Sequence, residues 1–566
     1  MSTITTVESI AELKQIQSPV NGRTVHVKSY ILSKNVGGGL FTYDGSKSNI
    51  NDGGVVINGW CRVSIEQSLR PEWFGCIANG VDSDNNGLDL LTAYAKENNR
   101  AIYLGDSKLK LTRQWLIDFP IVMSGDGGFG YSAANYTGDR HGGCVINSSV
   151  VNDYAIKISP TAYRFGLNIS NFTLLGDATG FGLRIHNIGW NASVSNITCD
   201  NFKGRNLSLG YNQDIHFYNI TCVRSKNTPD NPSLHFDADA NYVYFHGCRF
   251  ENANYLINTD VAWQVHFDHC HFEVGYYNNA LGLENEYRYT DVECIRSKGK
   301  WVNFNNCTFV PIPSQVLMNL TGKSIANIPF FMDFSCTVSN LKLCDMINPS
   351  DDVSKGGIKF LKSVGSRSRN KIIGGNYTEL DSRTPTIVAD HLDISTECLL
   401  HFRKQDTLDF FGLAINVGSL VGCTIAKDAD TVKKTNGYLQ FTYIPSGFKA
   451  AGNTYDLDDR IFKFFNEACI VSENQTDWHD FSGSVNINMA EVHPQRGLRS
   501  NIAASTILNL LEVPFGREIP VFFNAGSGTV KFVPNYLITR TANDLNAQAF
   551  STHLFKKIGA TVNQIS

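Results

Sequence analysis

Phe245-His246-Gly247-Cys248-Arg249-Phe250-Glu251 returns 22 residues later as Phe267-Asp268-His269-Cys270-His271-Phe272-Glu273. Both stretches read apolar-x-x-apolar-x-apolar, and the same form extends outward in both directions. The earlier copies are Ile169-Ser170-Asn171-Phe172-Thr173-Leu174, Val194-Ser195-Asn196-Ile197-Thr198-Cys199 and Phe217-Tyr218-Asn219-Ile220-Thr221-Cys222; a later one is Phe304-Asn305-Asn306-Cys307-Thr308-Phe309. First positions lie 25, 23, 28, 22 and 37 residues apart, the length of one coil of a stacked-strand solenoid. Apolar columns that recur while the residues between them vary predict a parallel β-helix, in which equal positions of successive coils stack at ~4.8 Å.

In that register Phe217, Phe245, Phe267 and Phe304 form one internal stack, Cys248, Cys270 and Cys307 a second, and Cys199 with Cys222 begins a third. The chain has 14 cysteines and no C-x-x-C pair, so this placement makes them small core residues rather than a disulfide framework or a zinc site. Asn171, Asn196, Asn219 and Asn306 match the N-glycosylation pattern, yet they occupy one column. Stacked amides at a turn explain that column better.

Composition agrees with a folded β-rich chain: of 566 residues 42% are hydrophobic, 11% aromatic and only 18% charged, against about 25% in typical domains. Lys+Arg 49 against Asp+Glu 53 gives a net charge of -4, which provides no basic field for nucleic acid or anionic lipid. No apolar run approaches the ~18 residues of a membrane span, and the start lacks a signal-peptide layout, so folding in a cytoplasm is expected.

Around the coils, residues 1–70 read as a small β-rich module with the Gly-rich run Val36-Gly37-Gly38-Gly39-Leu40-Phe41-Thr42-Tyr43-Asp44. Residues 71–100 form a junction and a capping helix over Asn86–Asn98, with Leu88, Leu91 and Ala95 at helical spacing. Residues 101–399 are the β-helix. Residues 400–566 turn Phe-rich and alternating, which suggests a β-sandwich-like domain for trimerisation or carbohydrate binding, with a last helix after Asn543.

Because side chains fill the interior of a β-helix, substrate must lie outside, and the outward positions are where chemistry belongs. Glu251 and Glu273 fall on adjacent coils in one outward column, flanked by Arg249 and His271. Two carboxylates so close repel, and one pKa rises, which lets an acid and a charged base or nucleophile coexist at neutral pH. That is the chemistry of a glycoside hydrolase, the two glutamates being the catalytic pair. Asp237, Asp239 and Asp260 are further catalytic candidates. Tyr244, His266 and Trp263, together with Arg249 and His271, are candidates for binding sugar, and Glu284 and Glu286 lie in an extra loop able to wall a groove. Gly105-Asp106-Ser107-Lys108-Leu109 imitates an esterase motif, but strand rather than helix follows its serine. His266, His269, Cys270 and His271 imitate a metal cluster, but strand alternation separates them; no metal and no cofactor are expected.

The Gly-rich run, the junction Arg70-Pro71-Glu72-Trp73-Phe74-Gly75, the capping helix and the coils, taken in this order over residues 20 to 400, resemble bacteriophage tailspike depolymerases of the pectate-lyase-like type. The usual Gly-Asp-Gly-x-x-Asp-Asp run of such proteins is replaced here by Asn79-Gly80-Val81-Asp82-Ser83-Asp84. The resemblance implies an all-β protein built on a right-handed β-helix. It also implies a homotrimer, an N-terminal module that attaches to a phage tail or to another tailspike, assembly in the host cytoplasm, and cleavage of a capsular or O-antigen polysaccharide outside the cell. Hydrolysis by the glutamate pair is the favoured activity. A lyase acting on uronate, with Tyr244 or His266 as base and Arg249 as neutralising cation, is the alternative, and an adhesin or deacetylase that leaves the backbone uncut is a third.

Overall fold

The computed structural model describes residues 4–427 except 64–67, 128–142, 226, 275–288, 348–355, 366–368, 382 and 403–410; beyond 427 it describes strands alone. The chain divides into two compact units, Met1–Arg288 and Tyr289–Ser566.

The first unit begins with a five-stranded sheet. Thr5–Ser9 pairs in parallel with Thr24–Ser29, which is antiparallel to Gly37–Tyr43, which in turn pairs with Trp60–Arg62 and through it with Val56–Ile57. Its core is Ile10, Leu13, Val25, Val27, Phe41, Ile57 and Trp60. The glycines of the Gly-rich run are required by close approach: a Cβ on Gly37, whose φ is +70°, would stand 1.9 Å from the Glu72 carbonyl oxygen of the junction. The buried Arg62 guanidinium closes the same corner by donating to the carbonyls of Gly38 at 2.6 Å and Gly37 at 3.0 Å. The capping helix spans Asn85–Asn98 and buries Leu88, Leu91 and Ala95 as its spacing predicted. Asp84, at its start, accepts from the backbone N–H groups of Ile77, Ala78 and Lys110, and Trp115 of the first coils donates to Thr92 of the helix at 2.8 Å.

From Ala101 onward the strands coil, and every inter-coil pairing of the first unit is parallel. The register is the one read from sequence. Ile169, Val194, Phe217, Phe245 and Phe267 are successive partners, with ring centroids 4.8 Å apart for Phe217–Phe245 and 4.9 Å for Phe245–Phe267. Each ring is fully buried, worth about 1.5–3 kcal/mol relative to exposure. The column of Cys199 and Cys222 continues as Phe250 and Phe272, while Cys248 and Cys270 are buried on neighbouring coils; all described cysteines are free thiols. Asn171, Asn196 and Asn219 all take the left-handed conformation, φ +61°, +52° and +52°, that an L-residue tolerates best when it is Asn. The last two donate their amides to the previous coil, Asn196 to Asn171 at 3.0 Å and Asn219 to Asn196 at 3.1 Å. Gly247 and His269 hold the same corner, at φ +61° and +51°.

In the second unit Phe304 and Cys307 are again buried and Asn306 again left-handed, at φ +49°. Parallel stacking runs through Val338–Met346, Arg369–Leu380, Arg383–Ser395 and Phe411–Val421. It does not stop at residue 399: Lys449–Ala451 stacks on Phe411–Val421, and Ile470–Val471 on Lys449–Ala451. Past Asp477 a six-stranded and a four-stranded sheet are fed alternately by successive strands, with parallel pairs that give way to antiparallel ones near the end. The expected last helix is instead two strands, Asp544–Ala547 and Thr552–Ile558, because their backbones have partners in Gly528–Val533 and Glu518–Phe523. Neighbouring strands override the helical spacing of Leu545, Leu554 and Ile558.

Candidate active site

Arg249–Ala253 and His271–Glu273 are the second strands of two successive coils, and their register sets Arg249 against His271, Phe250 against Phe272 and Glu251 against Glu273. Phe250 and Phe272 stack inward with centroids 5.4 Å apart, so alternation turns the charged residues outward. The left-handed Asn252, φ +52°, bends the chain just after Glu251. Glu251 is therefore more covered than a plain outward position: its side chain is 10% exposed, against 26% for Glu273 and 31% for His271.

His271 stands between the two carboxylates, its Nε2 3.0 Å from Glu273 and 3.8 Å from Glu251, and Arg249 lies 3.8 Å from Glu251 on the open side. Burial pushes the Glu251 carboxyl above the usual glutamate range, and the Glu273 charge adds to the rise; His271 and Arg249 oppose it. One carboxyl oxygen of each glutamate and the His271 nitrogen all lie within 4.8 Å of one another. The nearest carboxylate oxygens are thus closer to the ~5–5.5 Å spacing of retaining glycosidases than to the ~6.5–9.5 Å of inverting ones. The same three atoms are near enough to share a cation. His266, His269 and Cys270 do not join them: Cys270 is buried, and His269 pairs with Asp268 at 3.2 Å.

Tyr244 and His266 lie on the first strands of these coils, in a column Ser193, His216, Tyr244, His266. Their rings stack coil on coil, centroids 4.6 Å apart for His216–Tyr244 and 4.9 Å for Tyr244–His266, with planes within 10°. Ring faces are thus occupied by neighbouring rings, and edges meet solvent; the platform offers N–H and O–H groups rather than flat faces for a sugar. Tyr218, His246 and Asp268 form a parallel column beside it. Burial, and after it the nearby His246, lowers the pKa of His216 and His266. Trp263, 41% exposed, begins its strand opposite Asn241.

The aspartates lie elsewhere. Asp237 follows the third strand Leu234–Phe236 and pairs with Arg184 at 2.9 Å, Asp239 is exposed in the next turn, and Asp260 follows Ile257–Asn258. None is on the strands that carry the glutamate pair. Glu284 and Glu286 lie outside the described residues. The esterase-like Ser107 bonds to Glu72 and is followed by the strand Lys108–Leu111. Sequence reasoning missed His216 and Tyr218, which the flanks of Phe217 signalled one coil before Tyr244. It also missed Arg184, whose partner is 53 positions away in sequence and whose strand carries no copy of the repeat.

Residues 6–64 match the family described as the phage tail protein small four-stranded β-sheet domain. No curated protein sequence matches the chain. Among solved structures, the ORF18 protein of Geobacillus virus E2 is similar at 13% identity and a TM-score of 0.42, over 84% of this chain and 75% of that one. The tailspike protein of Acinetobacter phage vB_ApiP_P1 gives 14% and 0.40, over 81% and 71%. The enzymatically active domain of tailspike protein 4 of bacteriophage CBA120 gives 14% and 0.39, over 83% and 56%. The chain thus joins a segment similar to a phage-tail β-sheet domain, residues 6–64, to a run of stacked parallel coils.

Proposed function

We propose that the chain is a tailspike depolymerase that hydrolyses glycosidic bonds of a bacterial capsular or O-antigen polysaccharide, with retention of anomeric configuration. The observation that carries this reading is the covered Glu251 beside the more open Glu273, with one oxygen of each within 4.8 Å. Glu251, its proton held by burial, gives that proton to the glycosidic oxygen as the bond breaks, and Glu273 attacks the anomeric carbon from the other face. Water then cleaves the glycosyl ester while Glu251 takes back a proton. His271 holds Glu273 in place, and Arg249 borders the cleft.

The test is to treat a panel of capsular and lipopolysaccharide polymers and identify the new chain ends. Reducing ends that keep the original anomeric form support the proposal. Unsaturated uronate ends absorbing in the ultraviolet would assign a lyase with Tyr244 or His266 as base and Arg249 as neutralising cation, and unchanged polymer length would assign an adhesin or deacetylase. Chelation separates acid–base from metal chemistry: activity should survive EDTA, and loss restored by a divalent cation would make the Glu251–His271–Glu273 trio a metal centre. The proposal includes a homotrimer seated on the virion tail through residues 6–64; sedimentation should give about three times 62.7 kDa, and a monomer would remove that part.

A further inference from the structure

A second charged face lies on the third-strand side of the first unit, away from the strands that carry Glu251 and Glu273. Lys157 and Arg184 are register partners on Tyr154–Ile158 and Phe181–His186, and Arg205 enters beside them at a bulge, φ +46°. Both guanidinium groups lie over aromatic rings, Arg184 5.6 Å from the Tyr154 centroid and Arg205 5.5 Å from that of Phe181, and those rings pack on each other at 5.3 Å. Arg205 donates to the Tyr154 hydroxyl at 3.2 Å and to the Asp230 carbonyl at 3.4 Å. Among the described residues no carboxylate pairs with Arg205 or Lys157, whereas Arg184 has Asp237 at 2.9 Å. Three cations thus meet one anion on a chain whose net charge is -4.

The cluster also leaves hydrogen-bonding capacity unused. Arg184 Nε, Arg205 Nε, His186 Nδ1 and Asp237 Oδ1 are covered and lack a protein partner, an arrangement that is unfavourable until something supplies one. Gly210 makes it possible, since a Cβ there would lie 2.2 Å from Asp237 Oδ1 and 2.8 Å from His186 Nδ1. Small turns of these side chains would satisfy them on a ligand that carries both an anion and hydroxyl groups.

We propose that this face is a subsite for the acidic sugar of a carboxylate-bearing polysaccharide, the carboxylate resting on Arg205 and Lys157 and a ring hydroxyl donating to Asp237. A planar guanidinium pre-held on a ring suits a carboxylate. The inference rests on the depolymerase reading and narrows its substrate to acidic polymers. It is tested by calorimetric titration of the Glu251→Gln chain with tetragalacturonate and hyaluronan tetrasaccharide against neutral galactotetraose. The acidic oligomers should bind at least ~10-fold tighter than the neutral one, weaken with added salt, and lose ~10-fold in Lys157→Gln/Arg205→Gln. Should that double variant fail to fold, Lys157→Gln alone should cost ~3-fold. Equal affinity for acidic and neutral oligomers, no binding of either acid, or unchanged affinity in the variants overturns the subsite. Polymer cleavage by the unaltered chain is scored separately: cleavage without acidic preference removes the subsite and keeps the depolymerase, while acidic preference without cleavage does the reverse.

Discussion

Asp200 and the pair Glu251–Glu273 occupy the same outward column, joined through Val223, yet their surroundings differ. Asp200 is wholly buried, and its two oxygens accept from Nε and Nη2 of Arg224 at 2.6 and 2.8 Å. Glu251 is nearly as covered, but its neighbours are a second carboxylate, an imidazole at 3.8 Å and an exposed arginine at the same distance. One scaffold position is thus settled by a matched charge in one coil and left short of countercharge two coils later. Under-neutralisation, rather than the presence of acid, marks the candidate chemistry.

The contrast breaks first at Asp200. Asp200→Asn removes the buried half of this pair, leaves a largely covered arginine uncompensated and should lower stability by roughly 3 kcal/mol in denaturant titration; a loss under ~1 kcal/mol would mean that the two positions are energetically alike. Glu251→Gln and Glu273→Gln should behave oppositely, with turnover down at least ~10²-fold and the native fold retained. Glu251→Gln should melt no lower than the parent at neutral pH. The sign follows from the raised pKa: the folded state holds the Glu251 proton more tightly than the unfolded state, so ionisation costs stability as pH rises from the ordinary glutamate value through the folded one. A melting point that rises over that window would refute the assignment.

The pH–rate profile sharpens the comparison further. Its alkaline limb should lie above the ordinary carboxylate range, and His271→Gln, by removing a charge that lowers the Glu251 pKa, should move that limb still higher while reducing the maximum rate. An unmoved limb would take Glu251 out of the acid role. The smallest effect belongs to the corners: Asn196→Ala should cost about 1 kcal/mol, because it removes the amide bonds to Asn171 and Asn219 and places alanine at φ +52°.

Coil length, inward stacks and the Asn column were legible because stacking enforces identity or near-identity at a fixed offset, and the offset is visible wherever Phe or Cys recurs. The glutamate pair was legible for the same reason. Its asymmetry was not: the left-handed corner after Glu251 repeats those at Asn201 and Arg224 on earlier coils, and the repeat carries no mark of how deeply each glutamate is covered. The third-strand face also stayed hidden, since Arg184, Arg205 and Asp237 meet across turns of differing length. Past residue 399 the column residues change and the coils continue without their signature, as Leu392 on Gly418 illustrates.

The amide ladder ends at Asn219. The next two corners, Gly247 and His269, belong to the coils that bear Glu251 and Glu273, and neither carries an amide to pass to its neighbour. Glycine has no side chain to offer, and His269 turns to Asp268 on its own coil. The candidate site therefore begins where the amide ladder stops, on two coils that are tied to one another by backbone pairing and stacked rings instead.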